Sequence, residues 1–471
     1  MLLDQTSSSQ PLNFWAELRD MFMGKRRDFT TGSLGRAIVL LAIPMVLEMI
    51  MQSIFGVVDV FFVGKLGADA VAAVGMTDSL MVLLFAIGMG IAMAAAAMVA
   101  RRIGEKKHEE AGVAAVQALV LGALVSIPVA VLGVIFAPEL LGLMGASESV
   151  VAVGSGYCAI AFGTNTLILY LFIINAVFRG AGDAVKAMRV LWLANILNII
   201  LDPAFIFGWG PIPEMGVTGA AVATAIGRGI GVAYQISQLI KGTGHLTVHR
   251  EQLRINLDIM RRLLRVSMPG MIQYMIGTAS WMLIFRIQAS FGSDALAGYT
   301  IAIRIILFAL MPSWGVGNAA ATLVGQNLGA RQPDRAERAV WFACWTNVAF
   351  LGVVAIAMFV FSEPLIRIFT DIPTAVAYGV DCLHIVSYTY VLFAFGMVIV
   401  SSFNGAGDTR TPTWINVICY WMLQVPIAYI LSHPLGMGPR GAFIAIAFAQ
   451  AILAVIAVVL FRRGTWKQQI V

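Results

Sequence analysis

Two aspartates stand inside apolar stretches of the first half of the chain, where a carboxylate is costly unless it has a task. Asp59 and Asp202 each lie toward the end of such a stretch, and Gln52 and Asn198 precede them by seven and four residues. Those spacings place each amide on the same helical face as its aspartate. Carboxylate, amide and hydroxyl oxygens can bind Na⁺ directly, whereas two carboxylates in apolar surroundings can share a proton. The predicted ion-coupling side chains are Gln52, Asp59, Asn175, Asn198, Asp202 and Thr224, with Asp59, Asp202 and Asn198 as the ligands if the ion is Na⁺.

Three further ionisable residues in apolar stretches, Glu48, Asp78 and Arg304, are secondary candidates for the lining of a central cavity. Each has a plainer interpretation. Glu48 could face a wet cavity without coupling, and Asp78 could be structural. Asp59 and Asp202 could themselves be span ends that are hydrated by water and bound to Asn or Ser donors.

The elements that hold these side chains are predicted to be membrane spans. Hydrophobic residues make up 59% of the 471 residues and charged residues 12%, whereas soluble domains are roughly 45–50% apolar. The mean hydropathy is +0.86, and apolar runs of about twenty residues or more recur along the whole chain. We therefore predict an all-α integral membrane protein without a sizeable soluble domain. The predicted spans 1 to 12 are residues 36–63, 70–100, 112–136, 150–178, 187–208, 217–240, 263–290, 295–325, 337–361, 374–403, 412–432 and 441–461.

The basic residues are placed asymmetrically. If the amino terminus is cytoplasmic, 25 of the 31 Lys and Arg residues fall in inner segments and only Lys65, Arg367 and Arg440 in outer loops. The positive-inside rule then predicts a multi-pass protein of a bacterial inner (cytoplasmic) membrane with both termini in the cytoplasm. The same asymmetry accounts for the pI of about 9.2 without a nucleic-acid partner. Residues 1–34 are predicted to be an amphipathic, basic arm at the anionic membrane surface, with a solvated tail as the alternative.

The chain contains an internal repeat, in which each residue of the first copy has a counterpart that follows it by the same number of residues. We call this number, the separation of Pro269 from Pro44, the repeat offset. At this offset Pro44 aligns with Pro269 and Gly90 with Gly315, and Phe178-Arg-Gly-Ala-Gly-Asp183 aligns with Phe403-Asn-Gly-Ala-Gly-Asp408 without a gap. Each copy has an even number of spans, which predicts two parallel six-helix bundles related by a pseudo-two-fold axis along the membrane normal. Such bundles can rock about a central cavity and give alternating access. The predicted units are the arm (1–34), an N-lobe (35–240), a linker (241–262), a C-lobe (263–461) and a tail (462–471).

The repeat also places Asp78 and Arg304 at similar depths in the two halves. A bridge between them, broken as the lobes rock, is one hypothesis. Arg228 and Arg286 are further arginines within spans that need partners or water.

Other classes of protein are disfavoured. The five histidines are scattered and no HExxH or GxSxG motif is present, which argues against an intramembrane enzyme. No repeat of the kind that forms an ion-selectivity filter is present, which argues against a passive channel. The GAGD sequences at 180–183 and 405–408 are too short for a phosphate loop and are predicted to be turns. The four cysteines lack a metal or disulfide spacing and are predicted to be buried free thiols, and no cofactor is expected.

Several motifs resemble the multidrug and toxic compound extrusion family, the MATE transporters. They include Ile43-Pro44 followed by Val58-Asp59-Val60-Phe61-Phe62-Val63-Gly64, Asn198-Ile-Ile-Leu-Asp202-Pro203, and Gly216-Val217-Thr218-Gly219-Ala220-Ala221. The resemblance spans residues 35–461 and implies antiport of organic, often cationic and lipophilic, compounds against H⁺ or Na⁺. It also implies small-molecule drugs and membrane lipid as partners, and a monomer.

Relatives with an N-lobe ion site have ligands that match this chain position by position. The matching residues are Gln52, Asp59, Asn175, Asn198 and Asp202, with Thr224 the least secure. Another branch places acidic residues in spans 7 and 10, but here span 7 has Gln273, and the stretch from Val391 to Val400 in span 10 is apolar. The resemblance therefore favours a coupling site in the N-lobe. A flippase for lipid-linked sugars, which would use the same superfamily fold and a basic cavity, is the alternative.

Overall fold

The structure is a computed structural model that describes residues 14–23, 27–242 and 246–469. Within these ranges the regular structure is helical, apart from one bridge between Trp209 and Ile212. Helices satisfy their backbone hydrogen bonds internally, which is the requirement that hydrocarbon imposes on a spanning segment.

The first six spans occupy the predicted positions, with ends that shift by a few residues. Span 4 is two helices bent by 43° at Thr164 rather than one continuous helix. The helices are Leu34–Gly64 (span 1), Ala68–Gly104 (span 2), His108–Ile135 (span 3), Glu148–Gly163 with Asn165–Ala181 (span 4), Ala184–Ile206 (span 5) and Gly216–Lys241 (span 6).

The second six spans repeat this arrangement. Span 10 is also broken, by 61°, and the middle of span 11 winds as a π-helix over Val417–Gln424. The helices are Leu257–Ala289 (span 7), Ser293–Gly329 (span 8), Pro333–Val360 (span 9), Pro373–Ser387 with Tyr390–Ala406 (span 10), Arg410–Asn416 with Val417–Gln424 and Val425–Ser432 (span 11), and Pro439–Arg462 (span 12).

Among the described residues, nine single helices and two bent pairs are long and apolar enough to cross a membrane. Span 7 completes the twelve but is less apolar, because Arg261, Arg262 and Arg265 lie in its first turns and Arg286 near its end. Its helix begins six residues before the predicted start and takes in the end of the predicted linker.

The repeat is visible in the helix bounds themselves. Spans 2 and 3 cover residues 68–104 and 108–135, and spans 8 and 9 cover 293–329 and 333–360, so both ends of each helix are separated by the repeat offset. The two predicted turns also match. Gly182 and Gly407 end their helices in the left-handed region, at φ 86° and 87°, where only glycine has no steric penalty. The N–H groups of Asp183 and Asp408 then donate to the carbonyls of Phe178 and Phe403 at 2.8 and 2.9 Å. This closes each helix as a Schellman motif, so the turn interpretation of both GAGD sequences is confirmed.

The two halves meet closely at one end of the bundle. We call this end the basic face; it carries the helix ends at Leu34, Gly104, His108, Ala181, Ala184, Lys241, Leu257, Gly329, Pro333, Ala406, Arg410 and Arg462. A Cβ atom on Gly104 would lie 1.9 Å from the carbonyl oxygen of Gln326, and one on Gly329 would lie 2.1 Å from the carbonyl oxygen of Arg101. Because Gln326 is the repeat equivalent of Arg101, as Gly329 is of Gly104, the contact is two-fold symmetric. We call this glycine contact and its neighbours the seam.

Hydrogen bonds reinforce the seam beside the GAGD turn of the first half. Thr322 Oγ1 donates to the carbonyl of Arg179 at 3.0 Å, and Gln326 Nε2 donates to the carbonyl of Gly180 at 3.0 Å. Span 8 of the second half is thereby attached to the end of span 4 of the first.

The last described residues form a clasp over the basic face, comprising the 3₁₀ turn Thr465–Gln468 and Gln469. Trp466 is fully buried and stacks on Phe461 with ring centroids 4.7 Å apart. Lys467 Nζ lies 2.6 Å from Glu337 Oε2 of span 9, and Arg101 of span 2 donates from Nη2 to the carbonyl of Gln469. The clasp therefore contacts both halves.

The predicted amino-terminal arm contains the helix Phe14–Phe22, which packs on spans 1 and 5 through Met21, Leu40 and Val185. Glu17 accepts hydrogen bonds from Arg27 at 2.9 Å and Arg36 at 3.4 Å. The predicted basic residues Lys25 and Arg26 of this arm lie outside the described residues. All four cysteines are buried free thiols, as predicted.

Candidate ion-coupling site

Asp202 is held in a hydrogen-bonded group between spans 5 and 6. It is fully buried, and the Asn198 amide, assigned with its nitrogen toward the carboxylate, donates to Asp202 Oδ2 at 2.8 Å. In this assignment the Asn198 oxygen accepts from Thr224 Oγ1 at 2.8 Å and from Thr224 N at 3.1 Å. Gly227 allows the two spans to approach, because a Cβ atom there would lie 2.8 Å from the carbonyl oxygen of Ala194. The structure thus brings three of the six predicted residues into direct contact.

Asp59, Asp78 and Asp202 are all within electrostatic range of a single cation. The guanidinium of Arg228, one turn after Thr224 on span 6, interacts electrostatically with all three carboxylates and with the phenol of Tyr157 on span 4. Asp59 and Asp202 also interact with each other, as do Asp59 and Asp78. We call Asp59, Asp78, Tyr157, Asp202 and Arg228 the acidic cluster.

The acidic cluster has a charge imbalance that an ion can relieve. With every carboxylate ionised it carries three negative charges and one positive charge, which leaves a formal −2 inside the first half. Because Asp202 is fully buried, part of this imbalance lies in a medium of low dielectric constant, where unbalanced charge is costly. Uptake of Na⁺ or of a proton reduces it, which is the property that a coupling site needs.

A second polar group lies nearer the basic face. Glu48 is almost fully buried, and its Oε1 lies 2.7 Å from Arg179 Nη1 and 3.3 Å from Asn175 Nδ2. Gln235 Nε2 of span 6 in turn donates to Asn175 Oδ1 at 2.7 Å. We call Glu48, Asn175, Arg179 and Gln235 the inner network.

The structure therefore does not bring Asn175 into the acidic cluster, where the sequence analysis places it. Glu48 precedes Asp59 by eleven residues on span 1, or about 16 Å along a helix axis. Asn175 lies at the depth of Glu48 because span 4 runs toward the basic face and ends six residues later, at Ala181. Gln52 lies between the two groups and accepts from Asn195 Nδ2 at 3.5 Å.

Arg304 forms no ion pair with Asp78 among the described residues. Both side chains are exposed, and the charges that act on Asp78 are those of Asp59 and Arg228 in its own half. The predicted bridge between the halves is absent in this conformation.

The second half lacks an equivalent of the acidic cluster. The repeat equivalents of Asp59, Asp78 and Tyr157 are Ile284, Ile303 and Cys382, and all three are buried. Its ionisable residues in span 10 have local partners instead. Asp381 Oδ2 lies 2.6 Å from Arg440 Nε, and His384 Nε2 lies 2.8 Å from Ser362 Oγ.

Four residues of these two groups are not assigned to a site by sequence reasoning. In the sequence, Arg228 is recognisable only as a cation within a span that needs a partner. Its position one turn after Thr224 is the signal that would assign it to the site. Tyr157, Arg179 and Gln235 give no signal, because a tyrosine or glutamine in a span is common and Arg179 stands at a predicted turn. No group of three or more His, Cys, Asp or Glu side chains in the described part of the chain is placed to hold a metal ion.

The model of the MatE family matches this chain twice, at residues 44–204 and 269–430. The chain belongs to the MatE family. The two matched segments cover more than half of the sequence, and their first residues, Pro44 and Pro269, are separated by the repeat offset. Membership confirms a multi-pass membrane protein of a transporter family.

Similar proteins support the same fold over nearly the whole length. The probable multidrug resistance protein YoeA of Bacillus subtilis (strain 168) is 27% identical over 93% of this chain and 95% of its own. An FAD transporter of Shewanella oneidensis is 24% identical over 94% of this chain and 97% of its own. A solved outward-facing conformation of a multidrug resistance MATE family transporter has a TM-score of 0.87 and 25% identity, and covers 94% of this chain and 98% of that one. The predicted twelve-span, two-half fold is confirmed.

Proposed function

We propose that this MatE protein is a secondary active multidrug efflux transporter that exchanges organic compounds for H⁺ or Na⁺ by alternating access. The observation that carries the proposal is the acidic cluster, in which three carboxylates interact electrostatically with one arginine in the membrane-embedded first half. The names of YoeA and of the solved outward-facing transporter, which both include multidrug resistance, support drugs as the substrate class.

The basic face is the cytoplasmic side in this proposal, with both termini in the cytoplasm of a bacterial inner membrane. The 25 to 3 distribution of basic residues supports this orientation. Because the seam joins the halves at the basic face, the structure then corresponds to an outward-facing transporter. Residues 35–240 and 263–461 act as the two lobes that rock about the seam.

The transport cycle follows from the position of the cluster. Outward-facing protein takes up the ion at Asp59 and Asp202 and releases the drug; it then turns inward, releases the ion and binds drug again. The ion drives this cycle only through different affinities for the two states. The Asn198 amide can serve either ion: in the assigned orientation its nitrogen donates to Asp202, and a flip of the amide presents its oxygen to a bound Na⁺.

The test is efflux in proteoliposomes under separately imposed H⁺ and Na⁺ gradients. The double variant Asp59→Asn/Asp202→Asn should lose ion-driven efflux while it retains its fold, because amides cannot take up a proton or balance Na⁺. Asp381→Asn is the matched control, since its carboxylate pairs with Arg440 in the second half. Unchanged ion-driven efflux in the double variant would refute the coupling role.

The same assay identifies the substrate class. A panel of lipophilic organic cations should be exported, with FAD and lipid-linked sugars as the rival classes. Transport of lipid-linked sugars alone would establish the flippase alternative.

A further inference from the structure

A cavity of about 830 Å³ opens on the basic face at the seam, within the size range of sites that hold small ligands. Both halves line it. The loop Glu105–Lys107 comes from the first half and the loop Ala330–Gln332 from the second, joined by residues before span 1 and by Arg262 of span 7. Lys106 and Arg331 are repeat equivalents and share a left-handed backbone, with φ values of 61° and 57°.

The lining is strongly cationic. Six basic side chains face two acidic ones, for a formal charge of +4. They are Arg101, Arg102, Lys106, Lys107, Arg262 and Arg331, against Asp28 and Glu105.

Part of this charge is already neutralised by neighbouring residues. Arg102 pairs with Glu105 at 2.7 Å and with Glu110 at 3.2 Å, and Lys107 pairs with Glu110 at 3.0 Å. Arg101 donates to the clasp. Lys106, Arg262 and Arg331 form no ion pair with any residue in the described ranges. Three exposed cations from three different elements therefore line one cavity without an ion-pair partner in the described ranges.

We propose that this cavity binds a phosphate-bearing anion, and that the bound anion holds the two halves together at the seam. Lys and Arg recognise phosphate through charge-assisted hydrogen bonds, and basic pockets between spans bind anionic lipid headgroups. Since Lys106 belongs to the first half and Arg331 to the second, their shared ligand is bound fully only while the seam is closed. This site is separate from the acidic cluster, because its lining shares no residue with that cluster.

The test compares two triple variants that remove the same charge. Lys106→Gln/Arg262→Gln/Arg331→Gln removes the unpaired cavity cations, and Arg261→Gln/Arg265→Gln/Arg410→Gln removes exposed cations of the basic face that do not line the cavity. Calorimetry of the purified full chain with inorganic pyrophosphate measures affinity. At roughly fivefold per basic residue, the cavity variant should bind on the order of 100-fold more weakly than wild type, whereas the control triple keeps wild-type affinity.

A second arm tests the lipid source. The full chain in nanodiscs of phosphatidylcholine, with or without phosphatidylglycerol, is followed by hydrogen–deuterium exchange of residues 101–107 and 328–332. The anionic lipid or pyrophosphate should slow exchange there in wild type and in the control triple but not in the cavity variant. A response to phosphatidylglycerol alone identifies a lipid headgroup as the ligand, and a response to pyrophosphate alone identifies a soluble phosphate.

The proposal is overturned if neither probe distinguishes the cavity variant from wild type, or if the control triple loses binding equally, since that would be a general effect of surface charge. If the triple variant does not fold, Arg262→Gln alone should weaken pyrophosphate binding roughly fivefold. Neither calorimetry nor hydrogen–deuterium exchange measures efflux. The result on anion binding can therefore be interpreted even if the Asp59→Asn/Asp202→Asn variant refutes the proposed transport function.

Discussion

Glu48 and Arg179 show how a single ion pair can connect two helices. Their atoms are 2.7 Å apart, Glu48 is almost completely removed from water, and its Oε2 has no partner among the described residues. Arg179 also offers its backbone carbonyl to Thr322 across the seam. The pair thus connects span 1 with the place where the halves meet.

Removing one member of this pair should destabilise the protein more than removing both. Glu48→Leu leaves a largely buried arginine without its partner, which costs about 2 to 3 kcal/mol, while the double variant Glu48→Leu/Arg179→Leu recovers most of that loss. The midpoint of denaturation in detergent measures the effect. Glu363→Leu is the control, because its pair with Arg367 is exposed and worth less than about 1 kcal/mol. Equal destabilisation by the single and double variants would show that the two charges are not coupled.

Which residues belong together is only partly visible in the sequence. Asp59 and Asp202 can be found because a carboxylate in an apolar run is costly, and the helical spacing of Asp202 from Asn198 is informative. Asn175 is misplaced by sequence reasoning because its depth depends on the bend at Thr164 and on where span 4 ends. Tyr157 cannot be found, since its position beside the carboxylates depends on how three spans pack.

At the scale of elements, spans 2 and 8 form the seam through backbone contact rather than through side chains. At Gly104 and Gly329 the facing carbonyl lies where a Cβ atom would be, and neither carbonyl can move without disturbing its helix. These positions therefore set how closely the halves approach.

Gly104→Ala should separate the halves at the basic face and shift the protein away from the closed seam. Spin-label pairs at the basic-face ends of spans 2 and 8 should show longer distances by electron paramagnetic resonance, and efflux should fall. Gly75→Ala in the same span is the control, because nothing lies within 4 Å of the point where its Cβ atom would be. If Gly104→Ala leaves the distances unchanged, the seam does not depend on this contact.

Span positions are predictable to within a few residues because long apolar runs have few alternatives in a membrane. The breaks in spans 4 and 10 are not predictable from the sequence, because neither span contains a proline at its break and the bends arise from packing. Span 7 is predictable despite its four arginines, through the repeat rather than through its own composition.

On the scale of the whole molecule, the clasp spans the division between the halves. Trp466 anchors it in the second half, and Arg101 of the first half holds its last described residue. The hydrogen bond from Lys467 to Glu337 raises the pKa of Lys467, so the contribution of the lysine to this contact is fully present below its ordinary pKa of about 10.4 and is lost as the pH rises through the higher folded value.

Trp466→Ala should release the clasp and lower the denaturation midpoint, since truncating a buried tryptophan costs about 3 kcal/mol or more. Hydrogen–deuterium exchange at residues 333–338, where the clasp binds span 9, should rise in the variant, and in wild type it should be unaffected by pH from about 6 to 9 after correction for intrinsic rates. Trp209→Ala, at a side chain that is 69% exposed, is the control. Equal midpoints for the two variants would contradict a structural role for the clasp.

The seam also bears on how such a chain could arise. Gly104 meets Gln326 while Gly329 meets Arg101, and this reciprocal pattern is the one by which two identical subunits form a symmetric dimer. The fold therefore contains a homodimer interface inside a single polypeptide, as duplication and fusion of a gene for a six-span subunit would produce. After fusion, each copy can accumulate mutations independently of the other. The interface still requires glycine in both copies, whereas a coupling site is needed in only one, so Ile284 and Ile303 can stand where the first copy has Asp59 and Asp78.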